Sequence, residues 1–393
     1  MTSSARLTWD IFCRVVDNFG DIGVCWRFAR QLAQEHDLAV RLWVDDLVTF
    51  QRINAEIDPE SAAQSSCSVE IRHWIEPFPD VSPADVVVET FGCDTPERYQ
   101  LSMAAMEKKP VWINFEYLSA EPWVNDCHAL PSPHPRLPLV KYYFFPGFGP
   151  EVGGLLRERD LMRERELFVS EPKTLTAFWR SLKLPQPAPT ETRVSLFCYE
   201  NPAIADLFAT WAVSPAPLLC LVPEGRAVAD VKAFFTADES VAPNDYVRGN
   251  LKVRVLPFLD PSHYDRLLWA CDCNIVRGED SFVRAQWAGK PFVWHIYPQQ
   301  ENAHWVKLNA FIDRYCGDMA PETAADLRAF WRTWNSGRGA GQAWPAFWRR
   351  RAELAAHADC WAERLVGLGD LASNMVRFTH KLLSESDAAS SQR

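Results

Sequence analysis

Residues 9–32 read WDIFCRVVDNFGDIGVCWRFARQL, and the reading of this stretch decides the fold. The apolar run Trp9 to Val15 predicts a strand, and the amphipathic run Ile22 to His36 predicts the helix it feeds. The loop between them carries Asp17, Gly20 and Asp21, and Gly23 follows in the first turn of the helix. It stands where a dinucleotide-binding turn would stand, but the glycine spacing departs from G-x-G-x-x-G. The charge is also wrong, because a pyrophosphate at a helix N-terminus wants bare N–H groups and no competing carboxylates. A cationic partner, or a proton to be removed, suits Asp17 and Asp21 better. Helix capping explains one of the two carboxylates simply, and both less easily. A hydrated magnesium ion held by the pair is a third reading.

Outward from this unit the same rhythm continues. Strands are predicted at Val40 to Val44, Val69 to Ile71, Asp85 to Glu89, Val111 to Phe115 and Tyr142 to Phe145, with a helix at Pro96 to Lys108. A βαβ rhythm of this kind predicts a mostly parallel sheet covered on both faces. It breaks after the charge-dense segment Arg157 to Glu166 and at Pro185, Pro187 and Pro189, then restarts. The second series has strands at Val194 to Tyr199, Leu218 to Val222, Val253 to Pro257, Asn274 to Val276 and Phe292 to Ile296, with helical patterns between them. From Glu322 to Leu383 the pattern is helical. Trp331, Trp334, Trp344, Trp348 and Trp361 there read as packing residues before they read as a binding surface. Two α/β units with terminal helices imply a bilobed protein with a cleft between the lobes.

The chain has 393 residues, enough for two or three domains, and its 48% hydrophobic and 23% charged composition is that of an ordinary globular protein. A net charge of −10 argues against a general nucleic-acid or anionic-membrane binder, which needs a basic face. No apolar run approaches the roughly 18–20 residues of a membrane span. The N-terminus has no signal-peptide pattern, so a cytoplasmic location is expected. Eleven scattered cysteines without a CxxC pair read as buried thiols rather than disulfides or a zinc site.

Ligands of open α/β sheets sit at the carboxyl ends of the strands. In the second series one such loop, NIVRGEDSFVRAQWAGKPFVWHIYPQQENAH from Asn274 to His304, has a character opposite to that of the first. Arg277 and Gly278 precede Glu279, Asp280 and Ser281, where a helix begins. Its free N–H groups with Arg277 suit a diphosphate, and the carboxylates suit sugar hydroxyls. Caps and an Arg–Glu ion pair are the plainer alternative. Tyr199 ends the first strand of the second series and Phe258 follows the strand Val253 to Pro257, and both suit the walls of a nucleobase site, although core aromatics are commoner.

The two long motifs, with SLFCYEN around Tyr199 and VLPFLD around Phe258, resemble the EarP family, bacterial protein-arginine rhamnosyltransferases that modify elongation factor P. The resemblance extends through most of the chain. It implies an α/β protein of GT-B type, two facing Rossmann-like domains with C-terminal helices. It implies an inverting, metal-independent transfer of L-rhamnose from dTDP-β-L-rhamnose, with no cofactor, to an arginine side chain of elongation factor P. By motif, Asp21 resembles the general base, Asp17 a carboxylate that orients the reacting groups, and Glu279 the acidic residue of the donor loop. Asn18, Tyr199, Phe258, Arg277, Asp280 and Ser281 resemble donor-binding positions, with Phe258 the thymine stacker.

The expected division is an acceptor-side domain over 1–184, a Pro-rich linker over 185–192, a dTDP-sugar-binding domain over 193–365 and a terminal helix over 366–393 that packs back on the first domain. Elongation factor P and dTDP-rhamnose are the expected partners, without direct nucleic-acid or membrane binding. The rivals are a nucleotide-sugar transferase acting on a lipid or small-molecule hydroxyl, and a non-enzymatic nucleotide-binding module.

Overall fold

The computed structural model describes residues 6–17 and 19–391. They form two compact units, one of residues 1–159 with 365–393 and the other of residues 160–364. In the first unit the elements are β1 Thr8–Cys13, α1 Phe19–Glu35, β2 Ala39–Val44, α2 Leu47–Ile53, β3 Ala63–Ser66, β4 Val69–His73, β5 Val86–Thr90, α3 Glu97–Ala105, β6 Val111–Phe115, α4 Trp123–Cys127, β7 Pro131–Pro133 and β8 Val140–Phe144.

Their sheet runs in the order β3-β4-β2-β1-β5-β6-β8-β7. The six inner strands are parallel, and β3 and β7 are short antiparallel edges. Strands β5 and β6 are buried at every position, as a parallel sheet covered on both faces requires. A charged group nevertheless sits in this sheet. Asp10 is buried and held by Arg41 through Nε at 2.5 Å and Nη2 at 2.6 Å, with Tyr99 donating to the same carboxylate. Such pairing is what makes a buried carboxylate tolerable. Phe12 packs edge-on against Tyr99 and stacks on Trp43 beside it.

The second unit holds α5 Leu161–Ser170, α6 Pro172–Ser181, β9 Thr192–Leu196, α7 Ala203–Ala212, β10 Leu218–Pro223, α8 Val228–Phe234, β11 Ser240–Ala242, β12 Asp245–Arg248, β13 Leu251–Leu256, α9 Pro261–Ala270, β14 Cys273–Arg277, α10 Asp280–Trp287, β15 Phe292–His295, α11 Ala303–Tyr315, α12 Pro321–Asn335 and α13 Ala340–Arg349. Helix α14, Arg351–Val366, closes it, and α15, Leu371–Ser391, belongs with the first unit. The sheet order is β11-β12-β13-β10-β9-β14-β15, parallel from β13 to β15.

Each strand expected from the two sequence series is present. The edge strands β3, β7 and β11 and the short strand β12 beside β11 were not expected, since short segments such as AQSS and PSP carry no alternating apolar signal. The Pro-rich segment 185–192 is not where the chain divides; the division falls at Arg159/Asp160. The reason is packing: α5 and α6 bury their apolar faces in the second unit, where Phe168 meets Phe178 and Trp269, and Arg165 donates to the Trp287 carbonyl. Helix α15 packs on the first unit, with Phe378 against Tyr142 and Phe144 and the Asp370 carboxylate accepting from Gln31. Trp331, Trp334, Trp344 and Trp361 are buried among the helices of the second unit, so they are core residues. All eleven cysteines are free thiols. Among the described residues, no helix is long and apolar enough to cross a membrane.

Candidate active site

In the first unit the strand order reverses beside β1, with β2 on one side and β5 on the other. Open α/β sheets bind ligands at that switch point, and the loop carrying Asp17 and Asp21 leaves β1 there. Asp21 lies in the first turn of α1 and is 3% exposed. It does not cap its own helix. Its Oδ2 reaches back to accept the backbone N–H groups of Val16 at 2.9 Å and Asp17 at 2.8 Å, which fixes the loop against the helix. Burial holds its carboxyl above the ordinary carboxylate value and outweighs those two donors, while the charges of Asp17 and Asp45 push the same way.

Asp17 is half-buried, and its carbonyl accepts from the Gly20 N–H at 2.7 Å. Its carboxylate folds over Gly20 so closely that a Cβ there would stand 2.9 Å from Oδ2. The glycine is therefore what lets a second carboxylate lie over the start of α1. Asn18, the third position singled out in this loop, lies outside the described residues. Asp45, at the end of β2, was not singled out; its Oδ1 accepts the Val15 N–H at 2.9 Å and braces the loop from the neighbouring strand. Nothing local marks it, since its role depends on β2 lying beside β1.

The second unit repeats the plan with a guanidinium at its strand end. Its strand order reverses between β9 and β14. Arg277 ends β14, is 6% exposed, and lies over the rings of Phe197 and Tyr199, 4.7 Å from each centroid. Among the described residues its Nε and Nη1 are buried without a hydrogen-bond partner. A buried guanidinium with open donors is costly unless an acceptor arrives.

Gly278 then turns the chain at a φ of 61°, and its carbonyl accepts from Trp294 Nε1 at 2.8 Å. Glu279 takes the N-cap place of α10 without a side-chain cap bond, and Asp280 opens the helix; both are half-buried. Ser281 is buried, and its hydroxyl bonds the backbone N–H and carbonyl of Arg277. In this structure that hydroxyl holds Arg277 in place. Tyr199 is buried after β9, edge-on to His295 and Tyr297. Phe258 is half-buried on the loop after β13, with β10 and β9 between β13 and β14. Tyr199, Arg277 and Ser281 are thus brought together, with Phe258 further along the same sheet edge.

Two mostly parallel sheets, each gathering polar residues at the carboxyl ends of its strands beside a switch point, define an α/β protein of the GT-B glycosyltransferase fold. A UDP-glucosyltransferase from Polygonum tinctorium superposes with a TM-score of 0.54 at 11% identity over 98% of this chain and all of its own, a likeness of fold alone. The chain belongs to the elongation-factor P (EF-P) rhamnosyltransferase family EarP, whose sequence model matches residues 9–380. The protein-arginine rhamnosyltransferase of Pseudomonas aeruginosa is 47% identical over 371 residues, covering 94% of this chain and 98% of the relative. That of Neisseria meningitidis is 34% identical, with 97% and 99% covered. A solved structure describing EarP-mediated arginine glycosylation of translation elongation factor EF-P superposes with a TM-score of 0.69 at 36% identity, over 96% of this chain and 99% of that one.

Proposed function

We propose that this chain transfers L-rhamnose from dTDP-β-L-rhamnose to an arginine side chain of EF-P with inversion at the anomeric carbon. The observation that carries the reading is the contrast between the two strand-end sites. Two carboxylates, Asp17 and Asp21, gather at the end of β1, whereas a buried guanidinium with open donors, Arg277, ends β14. The first suits a cationic acceptor and the second an anionic donor.

An arginine nucleophile is difficult, because its pKa of about 12.5–13.8 exceeds that of an ordinary Asp by roughly nine units, or about 12 kcal/mol. Full proton transfer before attack is therefore too costly. The burial that raises Asp21 narrows the gap from the base side. Asp17 and Asp21 hold and polarise the guanidinium, a guanidinium nitrogen attacks C1, the bond from C1 to the diphosphate oxygen breaks, and Asp21 takes the proton as the C–N bond forms. With Oδ2 engaged by the Val16 and Asp17 N–H groups, Oδ1 of Asp21 is the oxygen that receives it.

Arg277 and the N-terminus of α10 stabilise the charge that develops on the leaving diphosphate. Glu279 and Asp280 accept from the sugar hydroxyls, Tyr199 and Phe258 flank the thymine, and Asn18 contacts the sugar or diphosphate. Ser281 contributes by fixing Arg277. The test is the intact mass of EF-P after incubation with the protein and dTDP-rhamnose. A gain of one deoxyhexosyl unit on an arginine is expected, and an unmodified acceptor refutes the reading.

A further inference from the structure

His295 ends β15 and pairs in register with Arg277 of the adjacent parallel strand, so the two side chains leave the sheet on the same face. It is 4% exposed, and among the described residues its Nδ1 is buried without a hydrogen-bond partner. Its ring stands edge-on to Tyr199 at 5.4 Å and to Trp334 at 5.9 Å. Tyr199 in turn lies under the Arg277 guanidinium. Arg277 Nε, Arg277 Nη1 and His295 Nδ1 are therefore three unfilled buried positions on neighbouring strand ends. Buried polar atoms left open in this way need an explanation, and one anionic group with several oxygens supplies it for all three.

We propose that His295 is a second ligand of the donor diphosphate, giving a hydrogen bond from Nδ1 to a phosphoryl oxygen beside Arg277. The assignment rests on the donor reading above and extends it to a residue outside the Arg277–Ser281 loop. Charge explains why an imidazole fits. Burial, then the positive charge of Arg277 and that of His304, hold His295 down at about 3, so it is neutral at working pH. The groups that face it are Arg277 of β14, His304 of α11, Tyr199 and Trp334. A second cation next to Arg277 would repel it in the unliganded protein, whereas a neutral N–H adds a directed donor without that cost.

The test compares dTDP with thymidine by calorimetric titration of the full-length protein. His295→Phe keeps a ring in the Tyr199–Trp334 contact and removes both nitrogens. It is expected to weaken dTDP about tenfold or more, the range of a hydrogen bond to a charged group, while thymidine changes by less than about twofold. His295→Asn, which returns a polar atom near the position of Nδ1, is expected to bind dTDP within about threefold of the parent. Unchanged dTDP affinity in His295→Phe overturns the assignment. So does parallel loss of dTDP and thymidine in both variants, which would make the ring a packing element. Arg277→Gln separates the two readings: if it leaves dTDP affinity intact the donor reading itself falls, and if it alone weakens dTDP only the His295 assignment falls.

Discussion

Replacing Asp21 by Asn tests the base most directly, because the substitution keeps the shape and removes the charge. The carboxylate is 3% exposed and accepts two backbone N–H groups, at 2.9 and 2.8 Å. An asparagine Oδ1 can still accept from both, so the loop keeps its anchor. The net displacement of its pKa is upward, with burial as the largest cause. An acid whose folded value lies above its unfolded one destabilises the fold at neutral pH, and the penalty is relieved as pH falls through the folded value. Asp21→Asn removes that penalty, so its melting temperature is expected to be no lower than that of the parent. Turnover should fall by about 10²–10⁴, the usual contribution of a positioned general base.

The same displacement predicts that the parent loses transfer activity on acidification at a pH above the ordinary carboxylate range, as Asp21 becomes protonated. The assay is acceptor mass against time, with dTDP binding measured on the same preparations. Transfer within about threefold of the parent would refute the assignment of a general base. Equal loss of transfer and dTDP affinity would assign Asp21 to donor binding or structure.

Phe258→Ala should weaken dTDP by about 1–3 kcal/mol if the ring stacks on the base, and calorimetry showing no change would remove Phe258 from the site. Gly20→Ala places a methyl group 2.9 Å from Asp17 Oδ2, so that carboxylate must move. Transfer should drop by up to about 10² with dTDP affinity preserved, read as kcat/KM for the acceptor against donor Kd. Asp265→Ala removes the buried carboxylate that holds Arg284 at 3.0 and 2.7 Å in the core of the second unit. A loss of about 3–5 kcal/mol in denaturant unfolding is expected, and a loss under about 1 kcal/mol would mean that water reaches the pair.

The parts of the fold legible in the chain were those with local signals. Buried parallel strands such as VVVET and VWINF read as continuous apolar runs, and the helices between them keep an amphipathic period. The edge strands escaped because polar or proline-bearing segments pair only when a neighbour is already there. Residues 160–184 read as the end of the first domain, yet the helices over 161–181 bury their apolar faces in the second unit. A short amphipathic helix records that it has a buried face and not which partner covers it.

Sequence by itself determined the two α/β runs, the loops that leave their strands and the different character of those loops, since these depend on residue type and spacing. Tertiary structure decided what sequence order cannot encode. Strand order set the two switch points at β1 and at β9/β14, and brought Asp45 against the Asp17–Asp21 loop. It also set His295 beside Arg277, 18 positions away in the chain and directly paired across two strands. Burial turned Asp21 from an ordinary carboxylate into a stronger base and left Arg277 with donors unfilled among the described residues. Both effects come from excluding water, and only the packed protein does that.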